Sequence, residues 1–326
     1  MASTPGAQAE AVGRPEPPEE IQAVPVRHPG RWIGAAIVAL IAASLIRSAI
    51  DNPNFHWDVV GDYLFDHRIL DGVVKTIELT ILGMIIGIVL GVLFAVMRLS
   101  PNFLIRGFAW FYIWVFRGTP LIVQFLFWNF IAALYPTIDL GIPFGPSFIH
   151  LNANDFITLF VAATLALALN EGAYMAEIVR AGIISVEEGQ TEASKALGMT
   201  RLQTLRHIVL PQAMRVIIPP TGNETISMLK NSSLASVIAL AELLYSAQLI
   251  YAQNFQQIPL LIVVSIWYLA MTTVLSIGQF FLERHYGRGR TRDEPMTLFE
   301  QIRSGWAARH ADPDELIRES TGGSRQ

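Results

Sequence analysis

The chain has 326 residues, 52% of them hydrophobic and only 15% charged, with a mean hydropathy of +0.42 and a formal net charge of -4. This composition excludes an average soluble domain and indicates an integral membrane protein, while the absence of a basic excess argues against a nucleic-acid partner. No cysteine is present, so a disulfide framework, a thiolate metal site and a cysteine nucleophile are all excluded.

In chain order, residues 1–31 are rich in Pro, Ala and Glu without amphipathic period, and predict a disordered tail. The tail lacks the charged start and early apolar core of a signal peptide, so the segment after it is expected to stay in the protein. That segment, 32–50, is apolar apart from Ser44, Arg47 and Ser48 and is long enough to span, with Arg47 snorkelling to one interface. A clearer span, Val73 to Met97, carries Gly83, Gly87, Gly91 and Ala95 four residues apart. That spacing places all four on one helical face, where small residues admit a second helix. Phe108 to Tyr135 is a third apolar stretch, interrupted by Arg117, Gly118, Thr119 and Pro120. A charge beside a helix breaker inside a span predicts a broken or kinked helix next to a polar cavity.

A fourth span, about Phe156 to Ile178, contains Asn170, Glu171 and Glu177. After a polar interlude, Ala213 to Leu240 is a mixed segment with Pro219, Pro220, Asn223, Glu224 and Lys230; the last span is Ile258 to Leu282. Lys and Arg crowd one set of loops: Arg98 and Arg106; Arg180, Lys195, Arg201, Arg206 and Arg215; then Arg284, Arg288, Arg290 and Arg292. The loops at 136–154 and 241–257 have none and that at 51–72 has only Arg68. The positive-inside rule then predicts six spans with both termini and the polar interlude in the cytoplasm.

That interlude, Ser185 to Pro211, reads as a capped helix pair. Ser185 with Glu188 forms a serine-x-x-acid capping box that starts a helix at Val186, and Gly198 ends it in a left-handed turn. Thr200 with Gln203 repeats the box, and the second helix is expected to stop near Pro211. In the C-terminal tail, 286–326, Leu298, Ile302 and Trp306 are spaced for an amphipathic surface helix over 296–307.

Glu192, Ala193 and Ser194, then Gly198, then Ile208, Leu210 and Pro211 resemble the Glu-Ala-Ala, Gly, Ile-x-Leu-Pro signature of permease subunits of ATP-binding cassette importers. The flanking text, FRGTPLIVQ (116–124), NEGAYMAEIVR (170–180), GQTE (189–192) and PQAMR (211–215), is similar to the polar amino-acid uptake branch. The similarity covers roughly 73–285, leaving the tails and the first span outside it; Ser194 departs from the second alanine of the signature. The resemblance implies an all-α, polytopic, type I importer permease fold of about six transmembrane helices in a prokaryotic cytoplasmic membrane. It further implies a cytoplasmic coupling helix that docks into a separate ATPase dimer, a second permease subunit, identical or related, and an extracytoplasmic solute-binding protein. On that reading the coupling residues are Glu188, Gln190, Glu192, Ala193, Ser194, Lys195, Gly198, Leu210 and Pro211. The small ones keep the surface close-docking and the charged ones supply its rim.

The only lysines, Lys75, Lys195 and Lys230, follow Val, Ser and Leu. A phosphate-cradling Walker A loop needs a lysine directly after glycine, so this chain is expected to be no ATPase by that route; the resemblance implies that ATP and Mg are held by a partner ATPase, with no cofactor bound here. The seven histidines lack ligand spacing and no GxSxG elbow is present, so no metal site or hydrolase is expected. Ionisable and polar groups within spans mark a substrate path by default: Arg117, Gln124, Asn170, Glu171, Asn223, Glu224 and Lys230. One positive and one negative site would suit the carboxylate and ammonium of a free amino acid. The bland reading of each is a charge paired to hold helices together. An ion- or proton-coupled secondary transporter would instead show inverted repeats with paired broken helices, and only one FRGTP-like break is present. A membrane sensor or scaffold would not need charges along a path.

Overall fold

The computed structural model describes residues 29–141 and 147–286. The expectations for the first 28 residues and for the tail beyond 286, including the 296–307 helix, lie outside the described residues. The chain divides into two units, Met1–Phe55 and His56–Gln326. In the first, helix α1 (Pro29–Asp51) is apolar around its circumference, and Arg47 reaches one turn on to Asp51 at 3.2 Å; a 3-10 turn, Pro53–Phe55, follows.

The second unit begins with α2 (Trp57–Leu64) and α3 (His67–Arg98). At 32 residues α3 is about 48 Å long, more than the ~30 Å of a hydrocarbon core. Next come α4 (Phe103–Gly118) and α5 (Leu121–Asn129), bent by 103° where Pro120 takes the N-cap position, so the predicted break is present. A single turn, α6 (Ile131–Leu134), leads into an antiparallel hairpin of β1 (Thr137–Gly141) and β2 (Ser147–Asn152), a small departure from an all-helical fold. After the short α7 (Ala153–Phe156), α8 (Leu159–Ile184) starts on Thr158, whose hydroxyl accepts from Val161 N. The polar segment forms α9 (Glu188–Ala196) and α10 (Arg201–Thr204), and a π turn, Leu205–Val209, passes into α11 (Leu210–Asn231). A 3-10 stretch, Ser232–Ile238, precedes α12 (Leu243–Asn254) and α13 (Gln257–Tyr286). Four helices, α1, α3, α8 and α13, are long and apolar enough to cross a membrane; counting α4–α5 and α10–α12 as one bent span each gives six.

The small-residue face of α3 does what its spacing predicts: it brings α8 alongside in parallel. A Cβ on Gly83 would stand 3.4 Å from Leu167 Cβ and 2.7 Å from Met228 Sδ; one on Gly87 would stand 2.7 Å from Glu171 Cγ; one on Gly91 would strike Met175. Positions 83, 87 and 91 thus meet 167, 171 and 175, and the four-residue repeat is shared by both helices. Around this seam Leu79, Met84, Phe125, Ala166, Leu167 and Met228 form a buried cluster. Tyr112 of α4 stacks on Phe94 at 3.7 Å between ring centroids, and its hydroxyl donates to Leu169 O at 2.7 Å.

Three local expectations are corrected. Ser185 does not start the polar helix: α8 runs on to Ile184, and Ser185 closes it, its hydroxyl donating back to Gly182 O at 2.8 Å. Helix α9 therefore begins at Glu188 with Glu187 as an N-cap that makes no side-chain bond. Pro211 does not stop a helix but sits in the first turn of α11, directly after the π turn that loosens the helical ladder where its N–H is missing. Finally, the stretch 241–257, read as a loop, is mostly helix α12. Glu242, fully buried, N-caps it by accepting from Leu244 N at 2.9 Å and Tyr245 N at 2.8 Å, and it also accepts from Tyr268 Oη at 3.1 Å.

Candidate functional site

The break between α4 and α5 leaves backbone carbonyls without helical donors, and polar side chains on neighbouring elements take them up. Gln124 Nε2 donates to Phe116 O at 2.9 Å and to Thr119 Oγ1 at 2.9 Å, and Asn170 Nδ2 on α8 donates to the same Phe116 O at 2.8 Å. Gln124 is 5% exposed and spends its amide bracing the bend, so it is a scaffold of the site.

Against this bend lies a cavity of about 520 Å³ whose wall includes Arg117, Thr119, Asn170, Glu171, Tyr174, Glu224 and Asn231. Four of the seven residues singled out for a substrate path, Arg117, Asn170, Glu171 and Glu224, converge here from α4, α8 and α11. The Arg117 guanidinium sits over the Tyr174 ring, 5.0 Å from its centroid, a cation–π contact that orients the charge while leaving its donors open to the cavity. Glu171 is 5% exposed, and its Oε1 is buried with no hydrogen-bond partner among the described residues. Its stem lies on Gly87, so the glycine that lets α3 and α8 meet also makes room for this carboxylate. One guanidinium and two carboxyl groups on three helices can hold a small zwitterion.

The remaining three candidates lie elsewhere. Asn223 faces α13, where its Oδ1 accepts from Gln279 Nε2 at 3.0 Å, and that amide also reaches Glu283 at 2.8 Å. Lys230 is exposed and outside the cavity wall, and Gln124 is behind it. Two wall residues were passed over in the sequence although their spacing points to them: Tyr174 stands four after Asn170, and Asn231 seven after Glu224, each on its partner's helical face. A different cavity, about 540 Å³ between α3, α11 and α13, has only Thr80 and Thr225 hydroxyls among apolar walls such as Ile81, Met84 and Trp267, and it offers a zwitterion nothing.

The polar segment is a hydrogen-bonded corner. Gly198 has φ +77°, and Gly198 N bonds Lys195 O at 2.9 Å while Met199 N bonds Ser194 O at 3.0 Å, the paired bonds of a Schellman turn. Thr200 and Gln203 complete the predicted capping box. Glu188, Gln190, Glu192, Ala193 and Lys195 are exposed along α9. Ser194 is not: at 3% exposure its hydroxyl donates to Thr191 O at 2.8 Å and shares a 3.0 Å bond with Thr204 Oγ1, tying α9 to α10. The outward apolar groups are instead Leu197 and Leu202, 81% and 73% exposed, which sequence reading overlooked because neither belongs to a polar pattern. Leu210 and Pro211 line a separate cavity with Arg206 and Arg215.

A family model described as binding-protein-dependent transport system inner membrane component matches residues 87–288. The chain is 49% identical over 277 residues to the arginine transport system permease protein ArgU of Corynebacterium glutamicum, covering 84% of this chain and 86% of that protein. That overlap is longer than the 73–285 stretch on which the resemblance rested. It is 39% identical to the L-cystine transport system permease protein TcyB of Bacillus subtilis (71% and 92% covered) and 34% identical to the glutamine transport system permease protein GlnP of Escherichia coli (66% and 91%). Among solved structures, an amino acid ABC transporter crystallised with histidines is similar at a TM-score of 0.57 and 36% identity, covering 67% of this chain and 94% of that one. An inward-facing MetNI methionine ABC transporter shares the fold at a TM-score of 0.52 and 18% identity. The ion- or proton-coupled alternative gains no support from these relatives.

Proposed function

Because this chain belongs to the family of binding-protein-dependent transport system inner membrane components and is an amino-acid ABC transporter permease, we propose that its solute is a cationic amino acid received by Arg117, Asn170, Glu171 and Glu224. The observation that carries this is the charge balance of the 520 Å³ cavity, two carboxylates against one guanidinium. Arg117 pairs with the solute carboxylate, Glu224 and Glu171 with its ammonium and side-chain cation, and the Asn170 amide oxygen accepts from the ammonium. A neutral polar amino acid would leave one carboxyl group without a cation to pair, so that group would add nothing to its binding. The arginine-transport name of the 49% identical relative supports the same substrate class.

Movement of the cavity is driven from outside this chain. Helix α9, with Glu188, Gln190, Glu192, Ala193 and Lys195 outward and Gly198 at its end, docks on an ATPase pair that carries ATP and Mg; Leu197 and Leu202 supply the apolar contact. Ser194 acts from behind by holding α9 on α10, and Leu210 and Pro211 join that corner to α11. A second permease subunit, identical or related, a solute-binding protein and the bilayer complete the assembly, with both termini and α9 on the cytoplasmic side. The N-terminal helix at 32–50 stands outside the permease proper at 73–285.

The test is uptake of radiolabelled arginine and glutamine by proteoliposomes holding this chain with its ATPase and binding protein. Arginine uptake that requires ATP and falls about tenfold or more in Glu224→Gln, with glutamine affected less, is the expected result. Uptake that proceeds on an ion gradient without the ATPase overturns the proposal.

A further inference from the structure

A second cavity, of about 470 Å³, adjoins the first along α8 and the end of α4, and Arg117, Gly118 and Tyr174 belong to both walls. Asn170, Tyr174 and Glu177 stand at i, i+4 and i+7 on α8, so one helical face leads from the first cavity into the second. The charge balance inverts on the way. Beyond the shared Arg117, the second wall holds Arg98, from the last turn of α3, and Arg180 against a single acid, Glu177. Arg180 is already engaged: its Nε and Nη2 both donate to Glu177 Oε2, at 2.9 and 2.6 Å. Arg98 is not. Its Nε is buried with no hydrogen-bond partner among the described residues, and a buried donor left unmatched is unfavourable, the more so when it belongs to a cation. Arg98 is thus a cation in the cavity wall with no acidic partner among the described residues, and a carboxylate is the planar, two-oxygen acceptor that the outer nitrogens of a guanidinium fit.

We infer that this second cavity is an exit subsite for the carboxylate of the amino acid, with Arg98 as its ligand and the Arg117–Tyr174 pair as the partition between the two cavities. The inference rests on the function proposed above and adds a step to it. The carboxylate passes from Arg117 to Arg98, while the solute's side-chain cation leaves Glu171 and Glu224 for a wall of its own sign. Hold on the solute weakens as it crosses Tyr174, so release is favoured on the side toward which α3 and α8 end.

The experiment uses the assembled importer in proteoliposomes with cysteine-free ATPase and binding protein; the chain itself has no cysteine, so a thiol placed at position 98 is unique. Arg98→Gln and Arg98→Cys are expected to lower kcat for arginine uptake about tenfold with KM within about twofold, because the loaded state is formed at the first cavity. Arg98→Lys recovers at least half of the rate, as does Arg98→Cys treated with an ethylammonium thiosulfonate, whereas the sulfonate reagent does not. A wild-type kcat in Arg98→Gln, or the same response to both reagents, overturns the inference. If Arg98→Cys does not reach the membrane, the ratio of Arg98→Lys to Arg98→Gln decides alone, and a ratio of one overturns it. A wild-type protein that imports no amino acid under ATP refutes the importer reading itself, a result distinct from wild-type import with an indifferent Arg98.

Discussion

Replacing Gly198 by alanine isolates the conformational demand of the corner between α9 and α10. A Cβ built at this position has nothing within 4 Å, so no steric clash enters; the whole cost is that of holding an L-residue at φ +77°. That cost is roughly 1–2 kcal/mol for alanine and smaller for asparagine, whose side chain tolerates the left-handed region. It falls on the two bonds that close α9, from Gly198 N to Lys195 O and from Met199 N to Ser194 O. A penalty of that size multiplies the frayed population of the last turn by roughly 5 to 30. Hydrogen exchange at the Gly198 and Met199 amides should report it directly, and ATP hydrolysis coupled to uptake should fall in step. Gly198→Asn should retain most of both. Equal exchange protection in the alanine and asparagine variants would refute the reasoning, because it would mean the backbone conformation at 198 is not what closes the turn.

Gly91→Ala should lower the detergent unfolding temperature by an amount corresponding to roughly 1–3 kcal/mol, since the new Cβ meets Met175 Cβ and the α8 backbone, whereas Gly107→Ala, with open space, should be neutral or stabilising. Asp66 caps α3 by accepting from Arg68 N at 2.9 Å, and its side-chain bond to Arg68 holds its carboxyl below the ordinary value. A depressed folded-state pKa stabilises above the unfolded value and is lost as pH falls through the folded one, so stability should decline below about pH 4. Because Arg68 is partly exposed and screened, Asp66→Asn should cost well under 1 kcal/mol at neutral pH, as asparagine also caps, and should flatten that acid decline in a pH series of melting curves. Ser194→Ala, which restores the alanine of the signature, should lose the Thr204 bond, about 0.5–1.5 kcal/mol, while keeping coupled ATP hydrolysis within about twofold; Ser194→Leu, forced into a 3% exposed position, should abolish it.

Much of the candidate site is legible in the sequence. Arg117 beside Gly118 and Pro120 announced a break next to polar space, because a charge and a breaker inside a span are tolerated only there. What sequence could not say was which polar residues would share that space. Gln124 and Asn170 are chemically alike and both reach Phe116 O, yet one is buried behind the bend and the other opens onto the cavity. Asn223 is one residue from Glu224 but faces α13, since adjacent helical positions point about 100° apart. The polar corner misled in a related way: Ser185 satisfies the spacing of an N-cap, but its hydroxyl serves the helix it ends.

By itself the sequence determined the membrane class, the close α3 seam, the break at Pro120, the left-handed turn at Gly198 and the Thr200 box. Each follows from period or from the conformational needs of one or two residues, which are local properties. Only the tertiary structure decided that Arg117, Glu171 and Glu224 face one cavity, that Ser194 points inward, and that Glu242 turns a supposed loop into a helix. Those outcomes depend on the rotation of one helix about its axis relative to the next. That rotation is set by contacts between residues far apart in the chain, such as Gly87 on Glu171 and Tyr268 on Glu242.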